Sequence, residues 1–282
     1  MPNRKKFFAI FITGLCLVCT LYTARSQTQN VPPSPDHIIS NEPLDAPSLF
    51  MEAHKNYTEG MYSQATHHYE KLIHSGIRNG EIYYNLGNSY FKMGMLGKAI
   101  VSYRLAEIYL PRDEDLNVNA NYARQLTKDR IESKQFLPFI KKFCFWYSTL
   151  NMRELLLVFL LGHLLLWSLV TIKIFWKNEY ANLILLINLA VVAVLGFSLT
   201  LKLYNYSYAT EGVVLAKEIT VRSGNGINNT ALFQLHDGAE FTITKQEKAW
   251  LQIALADGKR GWVESRWVGK CRLNSWPLTA KH

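Results

Sequence analysis

The sequence predicts a multidomain membrane protein that has, in order, an all-α module of helical repeats, two transmembrane helices and a small all-β barrel. Three observations lead to this fold class. Apolar residues concentrate in three blocks, at residues 7–22, 155–174 and 183–201, although only 49% of the 282 residues are hydrophobic. A 34-residue spacing recurs between the first two blocks, and after the third block the pattern changes from helical to alternating.

The net charge of +9 arises partly from the start of the chain. Arg4, Lys5, Lys6 and Arg25 lie in the first 25 residues, which contain no acidic residue. The rest of the chain is closer to neutral and shows no basic face interleaved with aromatic residues. The composition therefore does not predict nucleic-acid binding.

The first apolar block indicates a secretory signal peptide at residues 1–26. A basic start precedes an apolar run that is too short for a transmembrane span of about 20 residues. Ala24 and Ser26 stand at the −3 and −1 positions of a cleavage site after Ser26. Lipidation at Cys16 or Cys19 and an uncleaved anchor are alternatives, and all three outcomes export the residues that follow.

A proline-rich linker is predicted at residues 27–47, which hold five of the nine prolines. The exported chain keeps two cysteines, Cys144 and Cys271, far apart and without CxxC spacing. A disulfide between them is compatible with an oxidising compartment, but we expect two unpaired thiols without a catalytic role.

Helical repeats are predicted at residues 48–131. Four residues recur at an offset of 34, so that Ala53, Gly60, Ala65 and Tyr69 are followed by Gly87, Gly94, Ala99 and Tyr103. This is the period of the tetratricopeptide repeat, a helix-turn-helix unit whose small residues let its helices approach. The second copy is more complete, and its further packing positions are Tyr83, Leu86, Tyr90, Ala106 and Pro111. A helix at about residues 113–131 is expected to cap the stack.

Three asparagines are candidate peptide-binding residues on the concave surface of this module: Asn85, Asn88 and Asn119. The alternative is that their side chains satisfy neighbouring helices, and the sequence leaves both interpretations open. Four histidines, His54, His67, His68 and His74, are expected to be surface or interhelical side chains, because adjacent helical residues point about 100° apart. The sequence predicts no cofactor and no metal.

The second and third apolar blocks predict transmembrane helices at residues 155–174 and 183–201, joined by a cytoplasmic loop at residues 175–182. Aromatic residues flank both spans, as at membrane interfaces. An amphipathic juxtamembrane segment is predicted at residues 132–154. Ser168 and Asn188 share a depth in this hairpin, so a hydrogen bond between the two helices is sterically open to them. His163 has no charged partner, so proton transport is not predicted.

Short strands with turn signals between them follow at residues 209–272. Val221 and Arg222, Gly238, Trp250, and Gly261 with Trp262 form a pattern that resembles the bacterial SH3 domain, a small barrel. Trp250 and Trp262 either pack in the core and lid of the barrel or present a ligand face, and packing in the core and lid is the favoured expectation.

The whole arrangement resembles the BatE family of the Bacteroides aerotolerance system. The resemblance covers residues 1 to about 270 and includes segments 83–90, 97–100, 111–115 and 130–131. It implies a non-enzymatic interaction protein of the bacterial inner membrane with both modules in the periplasm. It also implies partners among membrane-anchored von Willebrand-type Bat proteins and a MoxR-type ATPase, and a link to oxidative or envelope stress.

Two other function classes remain. A peptidoglycan-binding protein of the cell envelope would use its SH3-like domain on the wall. An enzyme would need a nucleophile, a base and an orienting group in one place, and the sequence shows no such constellation.

Overall fold

The computed structural model describes residues 45–129, 145–175, 180–208 and 211–271. The predicted signal peptide, nearly all of the predicted linker, Cys144 and most of the juxtamembrane segment lie outside the described residues. So do residues 176–179 of the predicted cytoplasmic loop.

Five helices form the N-terminal module. They are α1 (Ala46–Thr58), α2 (Tyr62–His74), α3 (Gly80–Lys92), α4 (Leu96–Tyr109) and α5 (Glu114–Gln125). Consecutive helices pack against each other. Gly60, Gly76 and Gly94 lie in the turns after α1, α2 and α3 with φ of +79°, +89° and +75°, a conformation that glycine adopts at little cost.

Side-chain caps fix two of the helix starts. Asn79 accepts from the backbone N–H of Glu81 at 2.9 Å, and Asp113 accepts from that of Leu116 at 2.8 Å. Asp45, which precedes α1, makes no such bond and accepts from the Ser48 hydroxyl instead.

The residues that define the 34-residue spacing lie mostly inside this module. Ala53, Ala65, Tyr69, Leu86, Tyr90, Ala99, Tyr103 and Ala106 are all buried. A β-carbon on Gly87 would lie 2.6 Å from the Tyr103 ring, so a larger residue would displace that side chain. Pro111 follows the end of α4 and is half-buried. The assignment of the module to the tetratricopeptide family stays a prediction.

The next two long helices are apolar enough to cross a membrane. A short helix, α6 (Phe145–Thr149), precedes α7 (Met152–Phe175) and α8 (Ala181–Tyr208). The apolar stretches of α7 and α8 have mean hydropathies of 2.4 and 2.5 and are mostly exposed. The helices extend beyond the predicted 155–174 and 183–201. They pack closely at two glycines. A β-carbon on Gly162 would lie 3.3 Å from Val192, and one on Gly196 would lie 3.2 Å from Phe159.

The polar residues of this hairpin lie in different environments. The Ser168 hydroxyl donates to the Leu164 carbonyl on its own helix, and Asn188 Oδ1 is buried without a hydrogen-bond partner among the described residues. These two residues therefore do not form a hydrogen bond with each other. His163 Nε2 accepts from the Trp167 indole N–H at 3.0 Å, also within α7.

The C-terminal module is a seven-stranded antiparallel sheet. Its strands are β1 (Glu211–Val214), β2 (Glu218–Arg222), β3 (Ala231–His236), β4 (Glu240–Glu247), β5 (Trp250–Ala254), β6 (Arg260–Glu264) and β7 (Val268–Lys270). The strand order is β3-β2-β6-β5-β4-β1-β7. Inward-pointing residues of the curved sheet, such as Val221, Leu251 and Val263, form its buried core.

The helical module and the sheet share an extensive interdomain interface. Val213 of β1 and Cys271 belong to the buried core of the helical module. Three glycines allow the close approach. A β-carbon on Gly97 would lie 2.1 Å from the Val214 carbonyl oxygen, and one on Gly238 would lie 2.5 Å from Thr127 Cγ2. A β-carbon on Gly269 would lie 2.8 Å from Val101 Cγ2. The sheet is thus fixed against α4 and the end of α5.

Salt bridges complete this interface. Glu240 of β4 accepts from Arg104 of α4 at 2.6 Å through one carboxylate oxygen and from Arg124 of α5 at 2.9 Å through the other. Arg124 also reaches Glu107 at 3.0 Å. These side chains are about three-quarters buried, so each charge depends on its partners for compensation.

The interface also explains an early helix end. The sequence predicts a helix to about residue 131, but α5 ends at Gln125. Beyond it, the Asp129 carboxylate accepts from the backbone N–H of His236 at 2.6 Å and lies 3.1 Å from its imidazole Nδ1. A tertiary contact with β3 therefore replaces the last helical turns.

We expect Glu240→Ala to lower the free energy of unfolding by about 1–3 kcal/mol, because it removes the closest carboxylate partner of two partly buried guanidinium groups. Denaturant titration of the detergent-solubilised full-length chain measures this loss. The matched control is Lys245→Ala, also on β4, where the pair with Glu247 is exposed and the expected change is below about 0.5 kcal/mol. Equal effects of the two variants would contradict a structural role for Glu240.

Candidate functional site

The candidate ligand surface is the outward-facing side of β2, β6 and β5. Side chains alternate along these strands, so that Val221, Leu251 and Val263 point inward and their neighbours point outward. In register across the sheet, Arg222 lies opposite Trp262, and Trp262 lies opposite Gln252. Trp250 lies opposite Glu264 on the same side. We call these five residues the outer face.

The two tryptophans of the outer face differ from the expectation of core packing. Trp250 and Trp262 are both half-buried, and neither belongs to the buried core of the sheet or packs against it, whereas Trp267 does. Each therefore presents part of its indole ring to solvent. An exposed aromatic surface next to charged groups suits a ligand that has both apolar and polar parts.

Neighbouring contacts hold the outer face in place. Arg222 Nη1 donates to the Asn229 carbonyl at 2.9 Å, which ties the arginine to the loop after β2. Gln252 accepts from the Thr244 hydroxyl at 3.2 Å. Gly261 permits β6 to cross β2 closely, because a β-carbon there would lie 2.4 Å from Val221 Cγ1. The polar groups beside Trp262 are thus oriented before any ligand arrives.

The loop between β2 and β3 has a defined shape. Ser223 N–H donates to the Thr230 carbonyl at 2.9 Å, and Asn225 Nδ2 donates to Glu247 at 2.6 Å. At its tip, the side chain of Ile227 is 66% exposed. The loop forms a rim beside the outer face.

The three candidate asparagines of the helical module have different environments. Asn88 Oδ1 accepts from the Tyr103 hydroxyl at 2.8 Å and from Asn119 Nδ2 at 3.2 Å. Asn119 Nδ2 also donates to the Tyr84 hydroxyl at 2.8 Å. Asn88 and Asn119 therefore join α3, α4 and α5 to one another. Asn85 is half-buried and has no side-chain hydrogen bond to the described residues, so it stays available to a ligand.

Asp237 has a role that the sequence does not indicate. Its carboxylate accepts from the backbone N–H of Gly97 at 3.0 Å and so caps α4, whose own preceding residue, Met95, provides no cap. Burial raises the pKa of the Asp237 carboxyl, while the N–H groups of Gly97 and Leu96 act in the opposite direction. Gly238 follows with φ of +86°, as the tight turn requires. The pair fixes the turn between β3 and β4 on the helical module.

No metal site is found in the part of the chain that the structure describes, where His, Cys, Asp and Glu side chains do not converge as ligands. The rings of His67 and His68 are 5.7 Å apart and edge-to-face. Cys271 is buried, and burial raises the pKa of its thiol. It forms no disulfide with a described residue, and its predicted alternative partner, Cys144, is outside them.

Comparison with known proteins identifies the C-terminal module. Residues 217–269 match the family model of the bacterial SH3 domain, so the predicted barrel is confirmed as such a domain. A stretch of 60 residues is 35% identical to YrvJ of Bacillus subtilis (strain 168), a protein described as a putative N-acetylmuramoyl-L-alanine amidase. The match covers 21% of this chain and 12% of that relative.

We expect Asn88→Ala to lower the free energy of unfolding by about 1–3 kcal/mol, because the Tyr103 hydroxyl and the Asn119 amide lose a shared acceptor. Asn85→Ala, three residues away on the same helix, should change it by less than about 0.5 kcal/mol. Thermal and denaturant unfolding of the full-length chain compares the two. A neutral Asn88→Ala would show that the polar network contributes nothing to the stack.

Proposed function

We propose that the protein is a membrane-anchored, non-enzymatic adaptor of the bacterial cell envelope whose SH3 domain binds a muropeptide, the sugar-peptide unit of peptidoglycan. The half-exposed Trp262 between Arg222 and Gln252 carries the proposal. An indole ring provides apolar contact to a sugar ring or an alanine methyl group, and the guanidinium and amide provide hydrogen bonds to carboxylate and amide groups. The relative's description as an amidase of N-acetylmuramoyl-L-alanine supports this class of ligand.

The arrangement of the modules supports anchoring in the inner membrane with both modules in the periplasm. The helical module precedes the two apolar helices and the SH3 domain follows them, and the two modules are in contact. A hairpin that crosses a membrane twice would keep both modules on one side and allow this contact. The predicted signal peptide selects the outer side of the cytoplasmic membrane.

We expect Trp262→Ala to weaken the binding of a soluble disaccharide-peptide by at least about tenfold, because a central aromatic contact contributes about 1.5 kcal/mol or more. Isothermal titration of the full-length chain in detergent measures the dissociation constant. Lys259→Ala, in the exposed turn between β5 and β6, should bind as the wild type does. Unchanged binding by Trp262→Ala would exclude the outer face, and no binding by the wild type would contradict a muropeptide ligand.

A second candidate function is a docking platform for other envelope proteins, as the resemblance to the Bat-type system implies. One apolar row along and just beyond α5 favours it. Val118, Tyr122 and Leu126 recur every four residues and are 65%, 54% and 48% exposed. Tyr122 extends the row onto α3, since its ring centroid lies 5.8 Å from that of Phe91.

We expect affinity capture from detergent-solubilised membranes to recover membrane-anchored von Willebrand-type proteins with the wild type. The double variant Val118→Ser/Tyr122→Ser should lose most of them, because it removes the central apolar contacts of the row. Met51→Ser serves as the control, since Met51 is equally exposed at 66% but lies on α1. Recovery that is identical for all three proteins would contradict docking on α5.

A further inference from the structure

The SH3 domain begins directly at the end of the second apolar helix. Only residues 209 and 210 separate Tyr208, the last residue of α8, from Glu211, the first residue of β1. Three successive Cα–Cα steps span at most about 11 Å. The chain therefore provides no linker that would let the domain move away from the membrane surface.

The interdomain interface prevents the domain from turning on this short connection. The Gly97 N–H bond to Asp237, 3.0 Å long, fixes the β3–β4 turn at the start of α4. Near the middle of α4, Arg104 binds Glu240 and lies 3.9 Å from Glu211. The contacts therefore hold β1, the start of β4 and the turn between β3 and β4 against α4.

The helical module is in turn joined to the membrane hairpin. Arg112, just after α4, forms an ion pair with Glu154 in the first turn of α7. Glu154 and Asn151 exchange hydrogen bonds of 2.9 Å that cap this helix reciprocally. On the neighbouring helix, Lys202 donates to the backbone carbonyls of Tyr147 and Leu150. The SH3 domain, the helical module and the outer ends of the hairpin thus form one connected body.

We infer that the outer face of the SH3 domain binds a lipid-linked muropeptide at the membrane surface, before the unit is polymerised into the wall. This rests on the proposed muropeptide ligand. A globule of about 60 residues has a radius of gyration of about 10 Å and is therefore roughly 27 Å across. With the short connection, its outer face lies within roughly 40 Å of the end of α8. A ligand that is itself held in the membrane is concentrated in this layer.

The test places a photo-reactive phenylalanine analogue at Ile227, at the exposed tip of the loop beside the outer face, in the full-length protein in living cells. After irradiation, detergent extracts contain lipid-linked adducts and the insoluble sacculi contain wall-linked adducts. We expect muropeptide adducts in the detergent extract at a yield at least tenfold above that in the sacculi. Adding Trp262→Ala should remove most of them.

A second variant carries Asp237→Ala and Glu240→Ala together with an insertion of about 30 Gly and Ser residues between residues 209 and 210. The linker has an average span of about 30 Å. The two substitutions remove the helix cap and the ion pairs that hold the domain against α4. We expect this protein to form adducts in the sacculi as well. If the protein without the insertion formed wall-linked adducts at the same yield as the protein with it, the inference would be overturned and the muropeptide proposal would remain intact. Adducts with protein alone would overturn both.

Discussion

Glu240 binds two arginines from two helices, and the relative position of the two modules depends on this contact. Each carboxylate oxygen accepts from one guanidinium, Arg104 on α4 or Arg124 on α5, and Arg124 is shared with Glu107. Removing Glu240 would take away the closest carboxylate partner of both partly buried guanidinium groups. The glycines at the interface let the backbones come close enough for these bonds to form. Shape and charge therefore specify the same orientation of the SH3 domain.

Local features of the fold could be predicted from the sequence, because each depends on residues close together in the chain. Gly94 marks the turn after α3 by its positive φ, Asn79 caps α3, and alternation outlines the strands. Contacts between residues that are far apart in the chain could not be predicted. Asp237 sits in an ordinary His-Asp-Gly turn, and nothing near it indicates that it caps a helix 140 residues away. Gly97 lies in segment 97–100, which contributes to the family resemblance, but nothing near it in the chain indicates that the carbonyl of Val214 requires a small residue there.

The outer face could be predicted only in part from the sequence. Arg222, Trp250 and Trp262 belong to the pattern that resembles the SH3 domain, but the hydrophobicity of tryptophan favours core packing for the last two. The alternation of side chains along a strand predicts the positions of the tryptophans better. Leu251 and Val263 must point inward, so their neighbours point outward. Gln252 and Glu264 carry no sequence signal of their own. They join the face only through the pairing of β5 with β6.

The interdomain interface also constrains the membrane topology. Lys141, Lys142 and Arg153 would favour the opposite orientation by the positive-inside rule, whereas the predicted signal peptide favours export. Neither argument concerns the number of crossings. If only one of the two apolar helices crossed a membrane, the helical module and the SH3 domain would lie on opposite sides, and Glu240 could not reach Arg104 and Arg124. The contact is therefore compatible with a hairpin that crosses twice, and it keeps the two modules together whichever side they occupy.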